Sequence, residues 1–201
     1  IRAAVEKGYA RVKLKYRPGW DIDMVEQVRT AFPDTVFHVD CNSGYSLADA
    51  AMFEKLDRYG LAMIEQPLAH DDLIDHAALQ KRLRTPLCLD ESIVSVDKAR
   101  KAVEIDACRW VNIKLGRVGG ITNALAINAF CESHGIPCWV GSMLESAVGA
   151  SHNIAIATLQ NMNYPADIFP TSRFYREDVG MPAIHHSGPS EFEASQEPGI
   201  G

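Results

Sequence analysis

Five short runs decide the fold: RVKLK (11–15), TVFHVD (35–40), LAMIE (61–65), PLCLD (86–90) and WVNIK (110–114). Each is mostly apolar and each closes on a charged residue: Lys15, Asp40, Glu65, Asp90 and Lys114. The spacings are 25, 25, 25 and 24 residues, the length of one strand–helix unit. A charge at the same phase of every unit does not read as solvated surface. In a βαβα chain that phase is the C-terminal end of a parallel strand, where barrel active sites are built.

The segments between the runs carry helix signals. Ile1–Lys7 reads as the end of a helix stopped at Gly8. A turn at Pro18-Gly19 leads to a helix over 21–32. Ser46 caps a helix with Asp49 at its third position and Ala50, Phe53 and Leu56 on one face, and Gly60 stops it. Helices follow at about 71–83 and 95–105, and Gly119-Gly120 opens a long one ending at Gly135 before Pro137. PCWVG (137–141) reads as a sixth strand, 146–160 as a helix and ADIF (166–169) as a short seventh strand. Strands this continuously apolar, separated by helices, form a parallel sheet covered on both faces.

The regular repeat favours an α/β fold of the (β/α)8 TIM-barrel type over a doubly wound sheet. Seven strands are one short of a closed barrel, and the chain opens inside a helix, so the first strand is expected to be missing. Residues 1–169 are assigned to the barrel domain. Residues 170–201, Pro/Gly/Ser-rich and ending PGIG, are assigned to a closing tail that is cut short.

Composition narrows the chemistry. A net charge of −6 without a basic run argues against nucleic acid. No apolar stretch reaches the length of a membrane span, and no signal peptide precedes the first helix. Five scattered cysteines without a CxxC pair read as reduced core thiols of a cytoplasmic protein. No GxGxxG follows a strand, which leaves a dinucleotide-dependent oxidoreductase a distant third reading.

Asp40, Glu65 and Asp90, at the ends of three successive strands, point to one place above the barrel mouth. Acids at strand–helix junctions are also ordinary helix caps. Three in phase between two lysines separate the two readings. Three close carboxylates repel unless a cation lies between them. Oxygen-only ligands favour Mg²⁺, with Mn²⁺ second, over zinc. Lys15 and Lys114 flank the triad in strand order, suited to removing a proton on one face of a carbon and returning it on the other. Lys13 points the same way as Lys15 and is expected to depress its neighbour's pKa. Asn42 lies within reach of the metal or of a substrate oxygen. Gln66 and Glu91 directly follow two of the acids and are expected to support them. Ser142 and Met143, in GSMLES (141–146), are candidates for a substrate wall. His38, in mid-strand, reads as a core residue.

The segments KLK, VDCN, IEQP, LDES and NIKLGRVGG resemble the muconate-lactonising branch of the enolase superfamily. Within it, PGWD, EQPLAHDDLIDHA, RTPLCLDES, RVGGITNA and GSMLES are most similar to the o-succinylbenzoate synthase / N-acylamino acid racemase group. The resemblance runs from about residue 7 to 180. It implies a (β/α)7β barrel behind an N-terminal α+β capping domain that is absent from this sequence. It implies Mg²⁺ on Asp40, Glu65 and Asp90, acid/base lysines at Lys15 and Lys114, and the first KxK lysine at Lys13. The DxN asparagine falls on Asn42.

The implied reaction abstracts the proton α to a substrate carboxylate to give an enediolate. A racemase then uses both lysines. The synthase loses water on the route to menaquinone, with the residue at Lys15 handling the proton and that at Lys114 stabilising the enolate as a cation. The resemblance further implies a small-molecule carboxylate as partner and a homo-oligomeric full-length form. Muconate cycloisomerase-like and dipeptide epimerase activities are alternatives, the latter weakened because DIFPTS (167–172) departs from its acidic DxD motif. An inactive metal-binding barrel fragment is the remaining one.

Overall fold

The computed structural model describes residues 1–180 and 183–199. The last two residues of the PGIG end lie outside them. A short helix α1 (Arg2–Glu6) leads into the repeat: β1 (Val12–Lys15), α2 (Asp21–Ala31), β2 (Phe37–Asp40), α3 (Ala50–Leu56), β3 (Ile64–Glu65), α4 (Leu73–Gln80), β4 (Leu87–Leu89) and α5 (Val96–Glu104). Then come β5 (Trp110–Ile113), a single turn α6 (Leu115–Val118), α7 (Ile121–Ser133), β6 (Cys138–Val140) and α8 (Ala147–Ala157). The six strands form one sheet in sequence order, every neighbouring pair parallel. With a helix after each strand, this is the curled, partial (β/α) barrel that the repeat predicts.

Helix starts follow their sequence signals. Asp72 accepts the Asp75 N–H at 2.9 Å at the head of α4, and Ser95 Oγ accepts the Lys98 N–H at 3.2 Å at the head of α5. Asp49 reaches back to the Ser46 N–H at 2.9 Å, but on a 3-10 turn (Leu47–Asp49) that precedes α3. Between α6 and α7 the chain reverses through Gly119 (φ 86°) and Gly120 (φ 103°), a left-handed pair that no β-branched residue would adopt cheaply.

Strand residues alternate between two cores. Phe37, Val39, Ile64, Leu87, Leu89, Val111 and Ile113 point outward and pack against the helices, where Val25, Phe53, Leu56, Leu79, Ala99 and Ile127 are buried. The inward set forms a smaller cluster: Met63, Cys88 and Trp139, with Trp110 and Tyr164 against it. Trp139 donates its indole N–H to Cys88 Sγ at 3.2 Å.

ADIF (166–169) is not a strand. Residues 161–167 do run beside β6, with Asn163 N–H donating to Cys138 O and Asp167 N–H to Val140 O, each at 2.9 Å. Pro165 sits between them and has no N–H to continue a ladder. The same segment reaches the opposite edge of the sheet. Arg11 Nε donates to Pro165 O at 3.0 Å, and its guanidinium lies 3.6 Å from Asp167. The sheet therefore curls until β1 and β6 face each other across residues 161–167.

Away from the strand ends, Asp57 ties the turn after α3 to the entry of β4. Its carboxylate accepts the N–H groups of Arg84 (2.9 Å) and Thr85 (2.8 Å). Partial burial opposes the charge, yet these bonds and the Arg84 guanidinium hold Asp57 below its usual value. A depressed folded-state pKa stabilises above the ordinary carboxylate value of about 4 and ceases to do so as pH falls through the folded value. Asp57→Asn is expected to cost about 1 kcal/mol, or about 2–4 °C in Tm at neutral pH. The gap from wild type should close on acidification below about pH 4, read by thermal unfolding at pH 7 and pH 3.

Candidate active site

Lys15, Asp40 and Glu65 lie side by side at the ends of β1, β2 and β3, since Lys15 pairs in register with Asp40 and Asp40 with Glu65. Asp90 and Lys114 follow one residue after β4 and β5. The three carboxylates are almost wholly buried, at 1% exposure for Asp40 and 0% for Glu65 and Asp90.

Each carboxylate is held by cations. Lys13 Nζ sits between two of them, 2.8 Å from Asp40 Oδ2 and 3.0 Å from Glu65. Lys15 Nζ also contacts Asp40 Oδ2 at 2.8 Å. Lys114 Nζ donates to Asp90 Oδ2 at 2.7 Å, while Arg117 takes the other oxygen of Asp90 and donates from Nε to Ile93 O at 2.8 Å. Glu65 gains two neutral partners, Asn112 Nδ2 at 2.9 Å and His38 Nε2 at 3.0 Å. An ionised carboxylate only accepts, so His38 carries its hydrogen on Nε2 and its Nδ1 accepts from the Tyr164 hydroxyl at 3.1 Å. Burial, with Arg11 and Lys13 nearby, pushes His38 well below the ordinary histidine value, so it is neutral.

The charges do not balance evenly. Burial raises Asp40, but Lys13 and Lys15 outweigh it and hold it below the usual carboxylate value. Glu65 stays above its usual value because burial and the Asp40 charge exceed what Lys13 and Asn112 return. Asp90 is likewise raised by burial and by Glu65, against the pull of Arg117 and Lys114. Lys13 is the cation shared by Asp40 and Glu65. Burial opposes its charge, yet Glu65 and Asp40 hold its ammonium well above the ordinary lysine value.

The other expected residues divide. Asn42 accepts from Lys15 and donates to Glu91 at 2.9 Å. Gln66 is buried, with Oε1 accepting the Asp90 and Ser92 N–H groups and Nε2 donating to Ser92 Oγ at 2.8 Å. It thereby fixes the backbone that carries Asp90. Ser142 bonds the backbone carbonyl of Asp167 at the β1/β6 seam. Met143 is 64% exposed, with its N–H on the Glu145 carboxylate, and the structure does not bring it to the ladder. Sequence reading passed over Arg117, Asn112 and Asp167. Strand alternation carries the signal for Asn112, two residues before Lys114, and a helical turn carries it for Arg117, three after.

Among the described residues no three His, Cys, Asp or Glu side chains stand close enough to hold a metal ion as placed. The donor chemistry nevertheless fits a hard dication. The candidate donors are buried oxygens at one barrel mouth, two of them raised by burial above the usual carboxylate value, and the ammonium between Asp40 and Glu65 is on a flexible stem.

The sequence profile described as enolase C-terminal domain-like matches residues 1–201. The chain belongs to this enolase family. It is 50% identical, over all of its length, to an o-succinylbenzoate synthase of Geobacillus kaustophilus, covering 53% of that protein. It is also 50% identical, over 92% of its length, to an N-succinylamino acid racemase of Thermus thermophilus, covering 50% of it. Among solved structures, a probable mandelate racemase from Alicyclobacillus acidocaldarius superposes with a TM-score of 0.92 at 40% identity, over 97% of this chain and 51% of that one. The chain spans about half the length of the curated relatives it matches. Among the described residues no helix is long and apolar enough to cross a membrane.

Within this enolase-type domain the position of Glu65 depends on a missing side chain. A Cβ at Gly141 would overlap the Asn112 amide, which is the group that donates to Glu65. Gly141→Ala is expected to destabilise by about 1–3 kcal/mol and to break the Asn112–Glu65 bond. Denaturant unfolding measures the first, and a crystal structure of the variant shows the second.

Proposed function

We propose that this domain abstracts the proton α to a substrate carboxylate, as an o-succinylbenzoate synthase, an N-succinylamino acid racemase, or both. The observation that carries the reading is the placement of Lys15 and Lys114 on opposite sides of three buried, neighbouring carboxylates. Relatives bearing the two names match this chain at the same identity, 50%, and both reactions begin with loss of the same kind of proton. Asp40, Glu65 and Asp90 would hold Mg²⁺, the metal general to this superfamily. When bound, it offsets the second negative charge that develops on the substrate carboxylate as the α-proton leaves.

The chain's own residues supply the rest. Lys15 takes or returns the proton on one face of the α-carbon, and Lys114 serves the other face or stands as a cation beside the developing enediolate. Lys13, Asn112 and His38 orient Glu65, and Gln66 orients Asp90. A dipeptide epimerase reading is weaker. Asp167 is engaged by Arg11 and Lys13, and no second acid follows it at position 169, where the chain has Phe169.

The test is α-proton exchange in D₂O on N-succinyl amino acids, followed by NMR with Mg²⁺ and with chelator. Wild-type exchange is expected to stop on chelation. Lys15→Ala and Lys114→Ala are each expected to lose about 10²-fold or more on the face they serve, with thermal stability near that of wild type. Exchange that persists unchanged in both variants would overturn the lysine assignment. Mg²⁺ binding without exchange on any substrate would leave a metal-binding barrel without this activity.

A further inference from the structure

Lys15 donates to two acceptors, Asp40 Oδ2 at 2.8 Å and Asn42 Oδ1 at 2.5 Å. Asn42 passes the chain on, donating from Nδ2 to Glu91 Oε1 at 2.9 Å. The polarity of this relay is fixed by chemistry. An amine N–H can only donate at one end and a carboxylate can only accept at the other, so the amide between them has a single workable orientation. The backbone is built to hold it there. Asn42 (φ 43°) and Ser43 (φ 60°) both lie in the left-handed region that side chains rarely adopt. The Asn42 N–H is anchored on Asp40 Oδ1 at 3.1 Å, and the Ser43 N–H on Gln66 O at 2.9 Å. Glu91 is half-buried, and its second oxygen, Oε2, is enclosed with no hydrogen-bond partner among the described residues. Its first oxygen is spent on Asn42.

We infer that Glu91, acting through Asn42, is a positioning residue for Lys15. Lys15 Nζ has four tetrahedral positions: one is taken by its own carbon and two are directed to Asp40 and Asn42, so one is left. Glu91 sets that position by denying Asn42 the flipped orientation, in which an NH₂ group would face Nζ. The inference rests on the proposed role of Lys15 as a proton-transfer base. It adds a residue that touches neither substrate nor Lys15, and it predicts control of one face of the reaction only.

The experiment compares wild type, Glu91→Gln and the double variant Asn42→Asp/Glu91→Gln. A glutamine at 91 can present either a donor or an acceptor, so the Asn42 amide is free to flip. The double variant restores a unique polarity: an aspartate at 42 accepts from Lys15 and from the glutamine at 91. Exchange on the Lys15 face is expected to fall about tenfold or more in Glu91→Gln, while the Lys114 face and KM stay within about twofold. The double variant should recover most of the loss.

A second readout needs neither metal nor substrate. The Asn42 side-chain NH₂ pair in a ¹H–¹⁵N spectrum, assigned by its absence in Asn42→Asp, should lose its hydrogen-bonded downfield proton in Glu91→Gln. An unchanged Asn42 pair, or loss of exchange equally on both faces, would overturn the inference. If wild type exchanges no substrate, the proposed function falls and the inference falls with it; if wild type exchanges and the Asn42 downfield proton is retained in Glu91→Gln, the inference alone is defeated.

Discussion

Three carboxylates with almost no solvent exposure lie at the ends of successive strands, and the arrangement around them follows from the need to compensate their charge. Removing an ion from water costs several kcal/mol unless nearby charge and hydrogen bonds replace the solvent. Here four cations serve that purpose, Lys13 and Lys15 at Asp40, Lys13 again at Glu65, and Lys114 with Arg117 at Asp90. The compensation is incomplete in one direction. Asp40, next to two ammonium groups, is held ionised, whereas Glu65 and Asp90 are pushed toward protonation by burial. A site in which burial still raises two of three carboxylates despite four neighbouring cations is poorly suited to being only a structural core.

Strand alternation makes that concentration of charge compatible with folding. Every second residue of the sheet faces the helices and is apolar, so the outer core forms without any ladder residue. The inward residues change character along the strands, from Met63, Cys88 and Trp139 in the interior to Glu65, Asp90 and Lys114 at the mouth. His38 and Asn112 bridge the layers, each with a partner in the polar group above. Gly141 belongs to this logic as an absence, since the sixth strand must present nothing at the point where the Asn112 amide turns toward Glu65.

Much of this was legible in the sequence because it rests on periods. The 25-residue spacing located five of the six strands and the ladder. Glycine and serine punctuation located the helices to within a few residues, the long α7 included. What escaped has specific physical causes. ADIF has the composition of a strand, but Pro165 just before it removes a ladder hydrogen bond, and the segment bonds β6 only intermittently. Lys13 was legible as an inward lysine but not as the ammonium shared by two carboxylates, because neither its reach nor the burial of Glu65 appears in a string of letters. Arg117 escaped because it stands on a one-turn helix, α6, in a stretch (115–118) to which the sequence pattern assigns no element.

The pairing of cations also bears on how two lysines can exchange protons inside so charged a site. If Lys15 gave up its proton with no other cation at Asp40, a buried carboxylate would be stranded, and that cost would be added to the barrier. Lys13 prevents this. It contacts the same Asp40 oxygen, and Asp40 and Glu65 together hold its ammonium well above the ordinary lysine value, so Asp40 keeps a cation beside it. Arg117 has the same relation to Lys114. It takes the second oxygen of Asp90, and a guanidinium does not deprotonate in a protein. Each proposed proton carrier thus shares its carboxylate with a cation of constant charge. The two sides differ in access, since the Lys15 side chain is 59% exposed and that of Lys114 is 15% exposed. An open lysine on one face and an enclosed one on the other can serve a reaction that needs a base on both faces. The same pair serves one that needs a base on the open face and a fixed positive charge on the closed one.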